Sequence, residues 1–195
     1  MDFMEVLKRR RSVRKFRQEK IPPEELQKLL EAARFAPVGS NRRQDIHLTV
    51  VQNPEILEKL AEAAVKRAEN QALMKKLVED VDVPRERKRL DPFYGAPAVI
   101  FISHRRQTLQ PGIEYANAAC VAQTLHLATC SQGLGSVLIW GVLEAMREIP
   151  ELDHTGLLEL PPDFEPLLGV AAGIPEIPVT ERSRQPRDFS VNYLP

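Results

Sequence analysis

Apolar positions near the start of the chain recur at helical spacing and then give way to a run with strand character. Phe3, Val6 and Leu7 form the stripe of a short first helix, with Asp2 placed to cap it and Glu5 three residues on as capping-box partner. Pro22 and Pro23 open a second helix, because proline is tolerated in a first turn whose N–H groups have no partner anyway. Its stripe is Leu26, Leu29, Leu30, Ala33 and Phe35, and Pro37-Val38-Gly39 ends it. The β-branched run from Ile46 to Val51 predicts a strand. Pro54 starts a helical stretch rich in Ala, Glu, Lys and Leu that reaches about Val81. A charged, proline-marked loop follows over residues 84–94.

The second half alternates between the same two patterns. Residues 96–103 are a short apolar run and predict a buried strand. Residues 115–132 predict a long helix with small or apolar side chains on most sides, among them Ala116, Ala118, Ala119, Val121, Ala122, Leu125 and Ala128. Such a helix is buried all round or packed against another copy of itself. Gly133-Leu134-Gly135 stops it, and residues 136–140 predict another strand. A short helix over 154–160 and a last core strand over 167–172 follow, the latter ending at Gly173-Ile174-Pro175. The tail over 176–195 is polar and extended and has little to bury alone, so it is expected to lie along a partner surface. The order implies one α+β domain over residues 1–195, with a sheet between helical layers.

Composition narrows the function. With 27 basic and 27 acidic side chains the formal net charge is zero, which argues against a nucleic-acid or anionic-membrane partner. No apolar run approaches the roughly 20 residues that span a bilayer, and the charged N-terminus does not read as a signal peptide. Cys120 and Cys130 lie ten residues apart in one predicted helix, about 15 Å along its axis, too far for a disulfide. Both read as small buried hydrophobes, and a reducing cytoplasmic setting is expected. The four histidines are scattered, without metal-ligand spacing. His126, inside the apolar helix, reads as a satisfied core histidine, and Trp140 as a core aromatic.

Against this neutral background two arginine clusters stand out: Arg10-Arg11-Ser12-Val13-Arg14 near the start and Arg182-Ser183-Arg184 near the end. Each sets guanidinium forks beside a hydroxyl, a combination suited to a phosphate. A fold that brought the two ends together would form an anion pocket.

Six motifs in order resemble the flavin-dependent nitroreductases. They are R-R-S-V-R followed by Phe16; the helix end Ala36-Pro37-Val38-Gly39-Ser40-Asn41; Ala96-Pro97 opening a buried strand; Ala122-Gln123 in a helix that ends at Gly133-Leu134-Gly135 before a strand to Trp140-Gly141; Gly173-Ile174-Pro175; and the late R-x-R. The resemblance covers nearly the whole chain. It implies a three-layer α-β-α fold with a mixed or antiparallel sheet, an intertwined homodimer with an extended C-terminal tail, and FMN bound at the dimer interface. Arg10, Arg11 and Ser12 match residues that hold the FMN phosphate and ribityl chain, Arg182 and Arg184 a second phosphate set, and Arg14 a cation near the N1/O2 edge that favours reduced flavin. Pro37, Val38, Gly39, Asn41 and Gln44 match the turn that reaches the flavin from the other subunit. Trp140 and Gly141 match the backbone near N5.

The resemblance further implies that NADH or NADPH stacks transiently on the flavin and gives hydride to N5, after which a nitroaromatic, quinone or similar acceptor is reduced in ping-pong fashion. The flavin carries the chemistry, so no catalytic side chain is named. The absence of a G-x-G-x-x-G fingerprint fits a nicotinamide without a Rossmann site. One departure is local: the family's Q-P-W is replaced by Arg43-Gln44-Asp45-Ile46, so that either Gln44 keeps its role after an insertion or Arg43 stands in the glutamine position. Asp45 adds a negative charge there, and Val38 replaces a serine. This turn leaves a specialised or non-catalytic flavin protein as the alternative, of a dehalogenase, oxidase or flavin-destruction type, and a ferredoxin as an alternative donor. Residues 84–94 and 143–151 are the candidate substrate lids.

Overall fold

The computed structural model describes residues 2–79, 91–107, 110–179 and 190–194. Among these described residues four strands form one sheet in the order β1-β2-β4-β3, every neighbouring pair antiparallel. They are β1 (Ile46–Val51), β2 (Ala98–Arg105), β3 (Gly135–Ile139) and β4 (Phe164–Gly173). Of the mixed or antiparallel alternatives, the described sheet takes the second.

Strand periodicity builds a core on each face. Val99 and Phe101 of β2, Val137 and Ile139 of β3 and Ala171 of β4 point to one side, where α3 (Pro54–Glu79) and α5 (Gly141–Glu148) cover them. Ala98, Ile100 and Ile102 of β2 with Leu168, Val170 and Ala172 of β4 point to the other, against α2 (Pro23–Ala33) and α4 (Ile113–Ser131). The three-layer arrangement follows directly from that alternation.

Helix α1 (Phe3–Arg9) starts as expected: Asp2 Oδ1 accepts the Glu5 N–H at 2.9 Å. The reciprocal half of the capping box is missing, because the Glu5 carboxylate pairs with Arg9 at 2.7 Å instead. Three expectations need correction. Phe35 is 79% exposed, because α2 ends at Ala33 and the following turn swings it off the stripe. Most of the candidate lid over 143–151 is packed helix rather than loop: Leu143, Ala145 and Met146 of α5 are buried, and Arg67 ties α3 to Glu144 at 3.5 Å and Glu148 at 3.2 Å. Cys120 and Cys130 are half-buried rather than buried. Among the described residues no helix is long and apolar enough to cross a membrane.

After α1 the chain crosses the end of the sheet in extended form. Val13 N–H donates to the Ser136 carbonyl at 2.9 Å, Ser12 bridges Ser136 in parallel fashion, and Phe16 bridges Pro175. Arg17 N–H reaches the Ile174 carbonyl at 2.9 Å and Glu176 N–H the Lys15 carbonyl at 3.1 Å. The first arginine cluster therefore lies along the start of β3, and residues 15–17 just after it meet the chain as it leaves β4.

Candidate cofactor-binding site

Arg10 is the residue after α1, where its own N–H still bonds back to Val6. Its side chain turns inward: Nη1 lies 2.8 Å from His126 Nε2 in the middle of α4. His126 is 2% exposed, and its Nδ1 lies 2.5 Å from Ser136 Oγ, which in turn lies 2.6 Å from Thr129 Oγ1. Burial, with the neighbouring Arg10 charge second, holds the imidazole down to about 4, so it is neutral at physiological pH. The satisfied core histidine expected from sequence is what the structure contains. Arg10, Arg11 and Arg14 have no carboxylate partner among the described residues; Arg9 takes Glu5 and Arg17 takes Glu19. Arg14 instead lies over the Tyr94 ring, 5.9 Å from its centroid.

The turn over residues 37–41 is tied to the other end of α4. Gly39 N–H donates to Asn117 Oδ1 at 2.9 Å, and Asn117 Nδ2 lies 3.0 Å from His104 Nε2. His104 Nδ1 donates to the Arg105 carbonyl at 2.7 Å, which fixes Nε2 as the acceptor for Asn117. All polar atoms of this buried chain are thereby matched. The turn itself is strained: Ser40 and Asn41 both hold positive φ, 55° and 54°. Asparagine tolerates that region better than serine, and such strain persists where surrounding contacts over-determine it.

Trp140 is 43% exposed, not core. Strand β3 stops at Ile139, whose side chain points inward, and Trp140 becomes the residue before α5. Its indole stands beside Tyr115 of the first turn of α4, ring centroids 6.0 Å apart at 32°. The aromatic pair and the Gly39 turn thus both flank the N-terminal end of α4, while Arg10 and Ser12 lie further along it.

Comparison with known proteins decides the family. The model of the Nitroreductase family matches residues 7–174. The chain belongs to the Nitroreductase family. A protein of Methanothermobacter thermautotrophicus, provisionally named an NADH dehydrogenase/NAD(P)H nitroreductase, is 31% identical over 137 residues, which is 70% of this chain and 60% of that relative's length. A crystal structure of a nitroreductase with bound FMN from Desulfitobacterium hafniense superimposes with a TM-score of 0.76 at 26% identity, covering 98% of this chain and 97% of the other. An FMN-bound nitroreductase from Bacteroides fragilis gives 0.75 at 26% identity, covering 99% and 100%.

Within this nitroreductase scaffold the departing turn acquires a physical account. Asp45 does not project its charge toward the site. It is 1% exposed and turned inward, with Arg42 Nε 2.5 Å from Oδ2 and Arg105 Nε 3.3 Å from Oδ1. The hydrogen bond from Arg42, above all, holds its carboxyl below the usual range. Arg43 and Gln44 are exposed beside it, and Val38 and Arg43 line a cavity of about 390 Å³ with Leu30, Ala33 and Leu48. A larger cavity of about 700 Å³ lies between α3 and residues 91–97 and involves none of the sequence-predicted site residues.

Arg182 and Arg184 lie outside the described residues, as does most of the loop over 84–94. His104, Asn117, His126 and Tyr115 were not among the candidates read from sequence. Only the place of His126 in an apolar helix signalled a buried partner, and the identity of that partner, 116 residues away, had no local signal.

Proposed function

We propose that the chain is an FMN-dependent oxidoreductase that works as a homodimer, takes reducing equivalents from NADH or NADPH and passes them to small acceptors such as nitroaromatics or quinones. The observation that carries this reading is the charge after α1, which has no carboxylate partner among the described residues. Arg10, Arg11 and Arg14 fall within five residues of one another around Ser12, and none faces a carboxylate among the described residues. Guanidinium groups without a carboxylate partner keep their full charge, and a phosphate dianion takes it up through charge-assisted bonds.

The donor set fits FMN. Arg10, Arg11 and Ser12 would hold the phosphate, joined by Arg182 and Arg184 in the tail, and Arg14 would sit toward the electron-rich edge of the ring. When bound, FMN would supply hydride acceptance and onward electron transfer, which no side chain here provides. The 37–41 turn with Gln44 and the Trp140-Gly141 backbone would fix the edges of the ring, and the Tyr115–Trp140 pair would shield it from water. The FMN in both compared nitroreductase structures and the nicotinamide in the archaeal relative's name support the cofactor and donor.

A second copy of the chain completes the proposed site. Tyr115, Ala116, Ala119 and Gln123 form an exposed stripe along α4, opposite the buried side that carries Ala118, Val121, Ala122 and Leu125, and neither cavity described above is lined by Arg10, Arg11, Ser12 or Arg14. The inward-turned Asp45 speaks against reading that residue as a substrate-facing charge of a specialised site. The direct test is anaerobic mixing of flavin-loaded protein with NADH or NADPH. Bleaching of the flavin absorbance followed by recovery on adding a quinone supports the proposal; no bleaching with either nicotinamide sinks it.

A further inference from the structure

We propose that His126 is a positioning residue that aims the Arg10 guanidinium at the cofactor phosphate without neutralising it. The inference rests on the FMN reading above. Hydrogen bookkeeping around the imidazole leaves one arrangement. Arg10 has only donors to offer, so His126 Nε2, 2.8 Å away, must accept and carry no proton. The ring proton is then on Nδ1 and donates to Ser136 Oγ at 2.5 Å. Thr129 Oγ1 spends its own proton on the His126 carbonyl at 2.9 Å, so it accepts the Ser136 hydroxyl at 2.6 Å. The relay runs in one direction, from Arg10 through His126, Ser136 and Thr129 back to the backbone of α4, and every member is satisfied.

The nature of the partner matters as much as its position. A carboxylate in place of the imidazole would also fix the guanidinium, but it would cancel the charge an incoming phosphate needs. A neutral acceptor orders the side chain and uses one N–H group, leaving the rest of the fork and the full charge available. Ordering before binding reduces the entropy lost when the anion arrives. The same Ser136 whose hydroxyl orients His126 also receives the Val13 N–H on its carbonyl. One residue of β3 therefore sets both the backbone after α1 and the direction of Arg10.

The test uses apo-protein and two flavins that differ only in the phosphate. Dissociation constants for FMN and riboflavin are read from flavin fluorescence, with thermal melting of each apo-variant as the fold control. His126→Leu is expected to weaken FMN by about tenfold or more while leaving riboflavin unchanged, since one ordered charge-assisted contact is at stake. His126→Gln, which can accept and donate along the same line, is expected to restore FMN affinity. Equal losses for both flavins, or wild-type FMN affinity in His126→Leu, overturn the role. If His126→Leu does not fold, nitrogen NMR of the wild-type imidazole decides: an Nδ1–H tautomer supports the relay, and an Nε2–H tautomer overturns it. Failure of the wild-type protein to bind FMN at all is a different result, which removes the cofactor reading itself.

Discussion

Gly135 lies so close to Val13 that a methyl group on its α-carbon would come within 2.8–2.9 Å of Val13 Cβ and both valine methyl carbons. That contact, with the Val13–Ser136 backbone bond beside it, lays the arginine segment across the start of β3. The neighbouring strand end works likewise: a Cβ at Gly173 would meet Pro97 at 2.6 Å and Phe16 at 3.0 Å.

Gly135→Ala should therefore push Val13 off the strand. Overpacking of this kind costs about 1–3 kcal/mol, and the displaced segment carries Ser12 and Arg14. Thermal melting and flavin titration should both show a loss. Wild-type melting and flavin content in this variant would mean that the close approach does not set the segment.

Two acid-sensitive groups should separate by pH. The His126 imidazole is lowered from 6.5 to about 4 by burial first and Arg10 second. The unfolded chain therefore takes up a proton that the fold refuses, and stability is lost as pH falls from 6.5 toward 4. Asp45 is lowered below 3.8, chiefly by its hydrogen bond from Arg42, so its contribution is present above that pH and lost below it. Urea denaturation across the acid range should show His126→Gln flattening the upper part of the acid limb and Asp45→Asn only the lower part. The same limb in all three proteins would contradict both assignments.

Helix α4 supplies the test of assembly. Ala119 is exposed in the middle of the stripe formed by Tyr115, Ala116, Ala119 and Gln123. Ala119→Glu would bury a charge wherever two such stripes meet, which is costly without a partner. Light scattering should report about twice the 22.1 kDa chain for the wild type, and a monomer lacking flavin for the variant. A flavin-loaded wild-type monomer would contradict a shared site.

Patterns with a local cause were readable from the chain. The apolar run of β2, the all-round apolar α4 and the glycine stop before β3 depend on residues close in sequence, and their bounds moved by only a few positions. The side-chain environment of the site was less readable. Trp140 looked like core because it continues an apolar strand, yet the strand stops one residue earlier and the indole faces Tyr115. Helix α5 carries a helical stripe of Val142, Leu143, Ala145 and Met146, but Gly141 in front of it reads as a break rather than a first residue. Asp45 reads as a charge at the site because Arg105, which helps to neutralise it, comes from the end of β2. For Trp140 the deciding partner, Tyr115, is remote in sequence; for Asp45 the local Arg42 is joined by the remote Arg105.

The assignment of a flavin to the arginine cluster is tested most directly by the visible spectrum of the purified protein. It predicts flavin absorbance in the visible range, with a chromophore released by acid and identified as FMN rather than riboflavin or FAD. A colourless protein that takes up no FMN on reconstitution would contradict it.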